Sequence, residues 1–546
     1  MEAIGIALFL LLAVVVSGWV QRSLPWSVPL PIVQIAFGAL IAIPSPAPLQ
    51  LHPDIFFLLF LPPLLFLDGW RIPKHGLFRD RDTILELAVG LVVFTVVGLG
   101  FLINWMIPAM PLPVAFALAA IVSPTDPIAL SAVSARAPIP KRLRLILEGE
   151  SLLNDASGLV CMRFAVAATV TGVFSPLDAL GTFSRLALGG ITLGVLVTWV
   201  ATRTLEWIAR RLGEDSSTQI LVSLLIPYGA YLLAEHMHCS GILAAVAAGI
   251  TMTYAELRGL AMATTRVRRT GVWETIQFTI NGIVFILLGE QLPQLIEGAA
   301  RTVQEAGHED PLWLIGYVIA IHVALAALRF IWVWVSLRLT MFRAEAKDVS
   351  VGRLGWRLVA VTSLAGVRGA ITLAGVLTLP LALPDGTDFP ARDLAIFLAA
   401  GAILTSMIAA TIGLPPLLRG LQIPSEPAQD TQEDLARNAA AQAAIKAIER
   451  TQHELSKNHA NTDVYAQTGA KIMELYRARI TNPLRSEEDV LQMRLANEIE
   501  RQLRLAGLRA ERDELYRLGR TRTLSDDLVR KLVREVDLAE AQLISN

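Results

Sequence analysis

Apolar residues fall in long runs along the first three quarters of the chain, separated by short segments that hold most of the charge. A hydrocarbon layer of about 30 Å takes about 20 apolar residues of helix to cross. Thirteen runs meet or approach that length: 4–20, 27–43, 54–69, 84–107, 112–134, 145–173, 186–207, 219–236, 240–257, 272–293, 312–337, 357–381 and 393–418. The pattern predicts thirteen transmembrane helices; runs two and three are short and broken by proline, so twelve or fourteen are the alternative counts. From about residue 421 the pattern changes to helical periodicity on a polar background, over 431–455, 460–480, 487–518 and 525–543. In the last stretch Ser525 is placed to cap, and Leu528, Val529, Leu532, Val533 and Val536 recur on one face. The expected organisation is a membrane domain over 1–420 and an α-helical cytoplasmic tail over 421–546. That tail is either regulatory or self-associating, or simply a bundle that stabilises the assembly.

The charge in the connecting segments gives an independent check on this count. Segments following the odd-numbered runs carry 21 basic residues, among them Arg71, Lys74, Lys141, Arg210, Arg269 and Arg353, whereas the alternate segments carry only Arg185, Arg301 and Arg392. Under the positive-inside rule the first set is cytoplasmic, which places the N terminus outside and the C terminus inside a plasma membrane. The start Met-Glu-Ala lacks the basic segment of a signal peptide, so the first run reads as a retained helix. Composition agrees: 54% of residues are hydrophobic, 17% are charged and the mean hydropathy is +0.53. A net charge of −1, with no basic run interleaved with aromatics, argues against a nucleic-acid partner. Cys161 and Cys239 have no C-x-x-C spacing and read as small core residues. Gly-x-x-x-x-Gly-Lys-Ser/Thr, His-Glu-x-x-His and Gly-x-Ser-x-Gly are all absent, so ATP-driven pumping and hydrolase chemistry have no support, and His236, His238 and Cys239 belong to a short outer loop.

Polar groups inside the runs are the informative exceptions, because an ionised side chain in hydrocarbon is costly and needs a partner, water or a transported ion. Residues 147–160 place Glu148, Glu150, Ser151, Asn154 and Asp155 on nearly one helical face. Asp155 lies about 10 residues, or about 15 Å, inside the sixth run, near the midplane. Ser123-Pro124-Thr125-Asp126-Pro127 in run five must break its helix, since each proline lacks an N–H and clashes with the preceding turn. Thr125 then offers an oxygen, and Asp126 could neutralise the positive end of the following half-helix. Run twelve holds Gly366-Val367-Arg368-Gly369-Ala370, and Arg368 needs a carboxylate or carbonyl partner, with Glu150 or Glu148 the nearest candidates. Arg163 and Arg329 could snorkel and are assigned no role. Runs five and twelve are seven apart and cross in opposite directions, as in two inverted six-helix repeats joined by a linking seventh helix.

With those three motifs in order, the sequence resembles the cation:proton antiporter-1 family, in its bacterial branch of sodium/proton antiporters with a long cytoplasmic tail. The resemblance covers about residues 1–420. It implies a homodimer, a dimerisation and a transport domain, and crossing broken helices five and twelve. Carried over, it makes Asp155 the carboxylate that binds sodium or a proton, with Ser151, Thr125 and Glu150 completing or supporting the site and Arg368 pairing with Glu150. Asn154 stands where electrogenic relatives have a second Asp, which implies electroneutral exchange. Asp126, Arg368 and Glu148 are supporting charges, Glu148 nearer the cytoplasmic entrance. Sodium, with lithium or potassium as variants, and protons are then the transported ions; membrane lipid is the surroundings, no cofactor is implied, and the tail's ligand is open. The alternatives are potassium/proton exchange and, in a different class, a cation channel or ion-sensing receptor.

Overall fold

A computed structural model describes residues 2–24, 28–42, 53–71, 84–126, 141–171, 176–256, 262–305, 312–345, 356–383, 386–419, 427–456, 462–478, 487–521 and 526–544. The chain divides into two compact units, Met1–Gln422 and Ile423–Asn546.

The first unit is an all-helical membrane protein. Its helices are α1 (Glu2–Ser23), α2 (Leu30–Ala42), α3 (Pro53–Arg71), α4 (Leu91–Met106, entered through a π-helical turn at Glu86–Gly90), α5 (Leu112–Val122), α6 (Lys141–Thr171) and α7 (Pro176–Leu212). They continue with α8 (Ser216–His236), α9 (Gly241–Glu256), α10 (Ala263–Glu305), α11 (Leu312–Glu345), α12 (Trp356–Leu364), α13 (Ala370–Leu377) and α14 (Arg392–Leu418). Among the described residues, seven helices are long and apolar enough to cross a membrane, and Leu30–Ala42, Leu112–Val122 and Gly241–Glu256 are shorter apolar helices. Two of the shortfalls have a visible cause. Helix α5 stops at Val122 because Pro124 and the residues around it cannot continue it, and run twelve is split into α12 and α13 by the non-helical Ala365–Gly369. The remainder of run five, 127–134 including Pro127, lies outside the described residues.

The helices pack as two groups. Helices α1, α2, α3, α7, α8, α9 and α10 contact one another, with α2 against α10 and α3 against α9 as the most extensive pairs; α4, α5, α6, α11, α12, α13 and α14 form the second group. Lipid supplies little hydrophobic drive for helix association, so close backbone approach matters, and small residues permit it. Where α2 crosses α10, a Cβ on Gly38 would run into the Ile286 carbonyl and one on Gly289 into that of Ile35. The α3–α9 crossing repeats the device: Gly69 faces the carbonyl of Val246 and Gly249 that of Phe66. Around the latter crossing Phe66, Trp70 and Trp273 form an aromatic stack, with the Phe66 and Trp273 ring centroids 5.2 Å apart. The second group reaches the first through α13 on α3 and α10, α14 on α10, and α6 on α3 and α9. That places the broken segments and the polar stretch of α6 at the junction of the groups.

The second unit consists of α15 (Pro427–Ser456), α16 (Thr462–Ala478), α17 (Glu487–Arg520) and α18 (Asp526–Ile544), paired α15 with α16 and α17 with α18. On α18 the expected apolar face is rotated: Val529, Val533 and Val536 are buried, Leu532 is half-buried, and Leu528 is exposed. One-sided packing against α17 is the reason, reinforced by Arg512 of α17 between Asp537 and Glu540. The cap expected at Ser525 lies outside the described residues.

Candidate ion-binding site

Helix α6 is 31 residues long, and Asp155 sits close to its middle. Glu150, Ser151, Asn154 and Asp155 are all buried, at 0–4% exposure, so the polar stripe faces protein and not lipid. Glycine explains how α6 lies so near the break after α5. A Cβ on Gly158 would come within 2.8 Å of the Ala120 carbonyl and 2.5 Å of the Pro124 ring.

The break delivers Thr125 to this stripe. Asn154 Nδ2 donates to Thr125 Oγ1 at 3.1 Å, and the Thr125 hydroxyl lies 3.4 Å from Glu150 Oε1, to which Asn154 Nδ2 also makes a long contact of 3.5 Å. With the amide so turned, Asn154 Oδ1 is buried and has no hydrogen-bond partner among the described residues, as is also true of Ser123 Oγ. An unsatisfied oxygen on Asn154, whose side chain touches the Glu150 carboxylate, is a ligand that a cation could use, because an unpaired acceptor buried there is otherwise costly.

Glu150 is not paired with Arg368. The sequence expectation is corrected here: Arg329 of α11, buried at 3% exposure, grips Glu150 with two parallel bonds, Nη1 to Oε1 at 2.5 Å and Nη2 to Oε2 at 2.7 Å. Its Nε donates to the Thr362 carbonyl near the end of α12 at 3.0 Å. Arg329 therefore does not snorkel. Gly366 leaves room for its stem, since a Cβ there would lie 3.0 Å from Arg329 Cδ. The bidentate match of guanidinium to carboxylate adds both strength and a fixed geometry to this contact.

Arg368 serves the backbone instead. Its Nε donates to the carbonyl of Val122, the last residue of α5, at 3.0 Å, its Nη1 donates to the Gly366 carbonyl, and its own N–H donates to Ser406 Oγ at 3.1 Å. Asp126 answers from the other side: its N–H donates to the Val367 carbonyl at 2.7 Å, and its carboxylate lies against Gly369, the N-cap of α13. The helix end that Asp126 neutralises is thus that of α13, in the other broken span; the half-helix following it in its own span lies outside the described residues. The crossing is arranged by elementary electrostatics, with cations on the C-terminal ends of α5 and α12 and a carboxylate on the N-terminal end of α13.

Ser151 stands one turn before Asp155 on the same helix. Among the described residues Asp155 has no ion-pair partner, but its carboxylate lies within electrostatic reach of Asp68, Asp126 and Glu150. Asp68 on α3 was not among the residues singled out from sequence. Its signal was available, as a lone acid in the apolar run Leu64-Leu65-Phe66-Leu67-Asp68. Glu148 is on α6, and its side chain is outside the described set. Arg163 pairs with Glu235 at 3.1 Å, at the far end of α8 and away from these groups.

Broken helices crossing at a buried, carboxylate-centred polar cluster are the arrangement of a multi-pass membrane transporter. The match of residues 8–420 to the sodium/hydrogen exchanger family, transmembrane, makes the class specific. This chain belongs to that family of cation/proton antiporters. It is 41% identical to the uncharacterized Na(+)/H(+) exchanger YjcE of Escherichia coli strain K12, across 100% of this chain and 99% of that one. It is 38% identical to a sodium, potassium, lithium and rubidium/H(+) antiporter of Bacillus subtilis, across 95% of this chain and 75% of the relative. The fold is similar to that of the sodium proton antiporter MjNhaP1 from Methanocaldococcus jannaschii, with a TM-score of 0.58 at 19% identity over 77% of this chain and 99% of that one.

Proposed function

We propose that the protein exchanges cytoplasmic sodium for external protons, electroneutrally, by alternating access at Asp155. The observation that carries this reading is the division of charge in the cluster. Glu150 is neutralised by Arg329 and Asp126 rests on a helix end, so of the acids on α6 and in the break it is Asp155, with Asp68 of α3 within electrostatic reach, that is left to take up a cation or a proton. Thr125, Ser151 and the free oxygen of Asn154 supply the hard oxygen ligands sodium prefers. Sodium and the proton compete for one negative charge, and an empty charged carboxylate is held back from crossing because its charge is desolvated. Only loaded states then reorient, and exchange is obligatory. Asn154 in place of a second acid keeps the count at one charge each way.

Thirteen crossings in two inverted repeats, spans one to six and eight to thirteen, fit this mechanism. The paired glycine crossings support it: exchanging the repeats carries span two onto nine and three onto ten, so the α2–α10 crossing maps onto α9–α3, and both are built on facing glycines. The 21-to-3 loop asymmetry supports an outside N terminus and a cytoplasmic tail. A homodimer in a bacterial inner membrane follows the family resemblance, and the tail is regulatory, self-associating or a bundle that stabilises the assembly. A wider cation range is the second reading, favoured by the name of the Bacillus relative.

Proteoliposome exchange at clamped potential, with sodium, lithium and potassium in turn, separates these readings. Proton flux driven by sodium and indifferent to potential is expected. Equal rates with potassium would replace sodium selectivity by the wider range, and current without linked pH change would overturn antiport.

A further inference from the structure

Helix α6 carries Asp155 in the second helical group, and farther along the same helix it carries Arg163, about 12 Å nearer the outer end at 1.5 Å per residue. Arg163 Nη2 donates to Glu235 Oε1 at 3.1 Å, and Glu235 belongs to the last turn of α8 in the first group. The pair thus ties one group to the other. Chain direction puts it at the outer face twice over, because α6 starts from the basic segment with Lys141, Arg142 and Arg144, and α8 follows the one with Arg210 and Arg211.

The two sides of this contact are unequal. On the α8 side Glu235 is fixed: the same oxygen accepts from the N–H of Gly241, the first residue of α9, at 3.1 Å, where a carboxylate also suits the helix end. Gly241 leaves room for it, since a Cβ there would lie 2.6 Å from the Tyr231 ring and 3.0 Å from Glu235 Cγ. The turn between α8 and α9 is held to α7 in its turn, through the Ser240 N–H and the Leu186 carbonyl at 3.1 Å. Arg163 reaches this fixed point across a junction where α6 and α8 are not among the extensively packed helix pairs. Two long side chains carry the contact, so it can part without repacking a core. The side chains of Arg163 and Glu235 are 38% and 36% exposed, and a pair so exposed adds little to the stability of a fold.

We propose that Arg163–Glu235 is an outer latch, closed while Asp155 is shut off from the outside and released when α6 and its group shift to admit external ions. The proposal rests on the exchange reading above and adds the contact that sets the balance of its two access states. An interaction present in only one of two states shifts their ratio by its own worth. An exposed ion pair is worth a few-fold in an equilibrium, so this one biases access and still opens in every cycle.

The test uses the full-length protein with Cys161→Ala and Cys239→Ala. Met162 is buried on α6, seven residues beyond Asp155 and on nearly the same face, so Met162→Cys reports whether the outer path is open. An impermeant thiol reagent added from outside should label it about threefold faster when Glu235→Gln or Arg163→Gln removes the pair, because labelling follows the open fraction. Arg163→Lys, which keeps the charge, should stay near the parent rate. Unchanged labelling in both neutral variants, or equal acceleration by Arg163→Lys, would overturn the latch. A strong fall in thermal midpoint without faster labelling would make the pair structural and overturn it too. A second arm needs no reporter: with Arg163→Cys and Glu235→Cys joined by a reducible bifunctional thiol reagent, sodium-driven proton flux should stop and return on reduction. Full flux through the cross-linked protein contradicts the proposal, whereas no sodium-driven proton flux in the parent protein would overturn the exchange reading instead.

Discussion

Charge pairing at single residues decides what the site does. The Glu150–Arg329 pair is buried on both sides, and removing one partner of such a pair leaves an uncompensated charge that costs about 3–5 kcal/mol. Glu150→Gln or Arg329→Met alone should therefore lower the thermal midpoint of the purified protein strongly, and the two together by less than the sum. Additive losses would show that the pair is not coupled. Asn154→Asp is expected to act through the same pair. It replaces the donor to Thr125 by a carboxylate about 3.5 Å from Glu150 Oε1, so coupling or stability should change. Unchanged electroneutral exchange at wild-type thermal stability would make Asn154 a structural spacer. Outside the membrane, Asp215 caps α8 by accepting from the Ser217 and Thr218 backbone N–H groups and the Thr218 hydroxyl, which holds its carboxyl below the ordinary carboxylate value. A lowered pKa makes the cap's contribution complete above the unfolded value of about 4 and lost as pH falls through the folded one. The hydrogen-exchange protection factor in the first turn of α8, with the intrinsic rate divided out, should fall only below about pH 4, and Asp215→Asn should remove that dependence.

At the scale of elements, the broken helices depend on glycine where a side chain would meet a charged group. A Cβ on Gly369 would fall 2.5 Å from Asp126 Cγ and 2.7 Å from its Cβ, whereas one on Gly366 has more room, with Arg329 Cδ at 3.0 Å, its Nε at 3.1 Å and the Ser363 carbonyl at 3.2 Å. Gly369→Ala should thus cost about 1–3 kcal/mol in thermal stability and abolish exchange, with Gly366→Ala milder in both. The opposite ranking would remove the assigned role of Asp126 on the end of α13. These elements also show what the chain made legible. Prolines 124 and 127 announced one break, and Gly366-Val367-Arg368-Gly369 the other, because each motif violates a rule that helices in lipid obey. Periodicity likewise located the helices, with boundaries off by one to about three turns: α6 starts at Lys141 where residue 145 was expected, and α10 runs Ala263–Glu305 where 272–293 was expected. What periodicity could not reveal is partnership. Arg329 and Arg368 are both lone arginines in apolar runs, and choosing which reaches Glu150 needs the azimuth of α11 relative to α6. Asp68 carried a signal of its own as a lone acid in an apolar run, but its nearness to Asp126 and Asp155, far away in sequence, needed the structure.

For the whole molecule, the two helical groups meet where the broken spans and α6 carry the charged cluster, and the proposed exchange requires a movement of one group against the other at that junction. Alternating access asks for such a junction, and the facing glycines of α2 with α10 and α3 with α9 tie one group into a rigid frame. The account stands or falls on Asp155 as the single exchangeable charge. The most direct measurement is sodium-driven proton flux in proteoliposomes at clamped potential, wild type against Asp155→Asn, with the oligomeric state and thermal stability of both proteins recorded. The account predicts wild-type flux that does not vary with potential, and none in a folded Asp155→Asn protein; flux retained in that variant would contradict it.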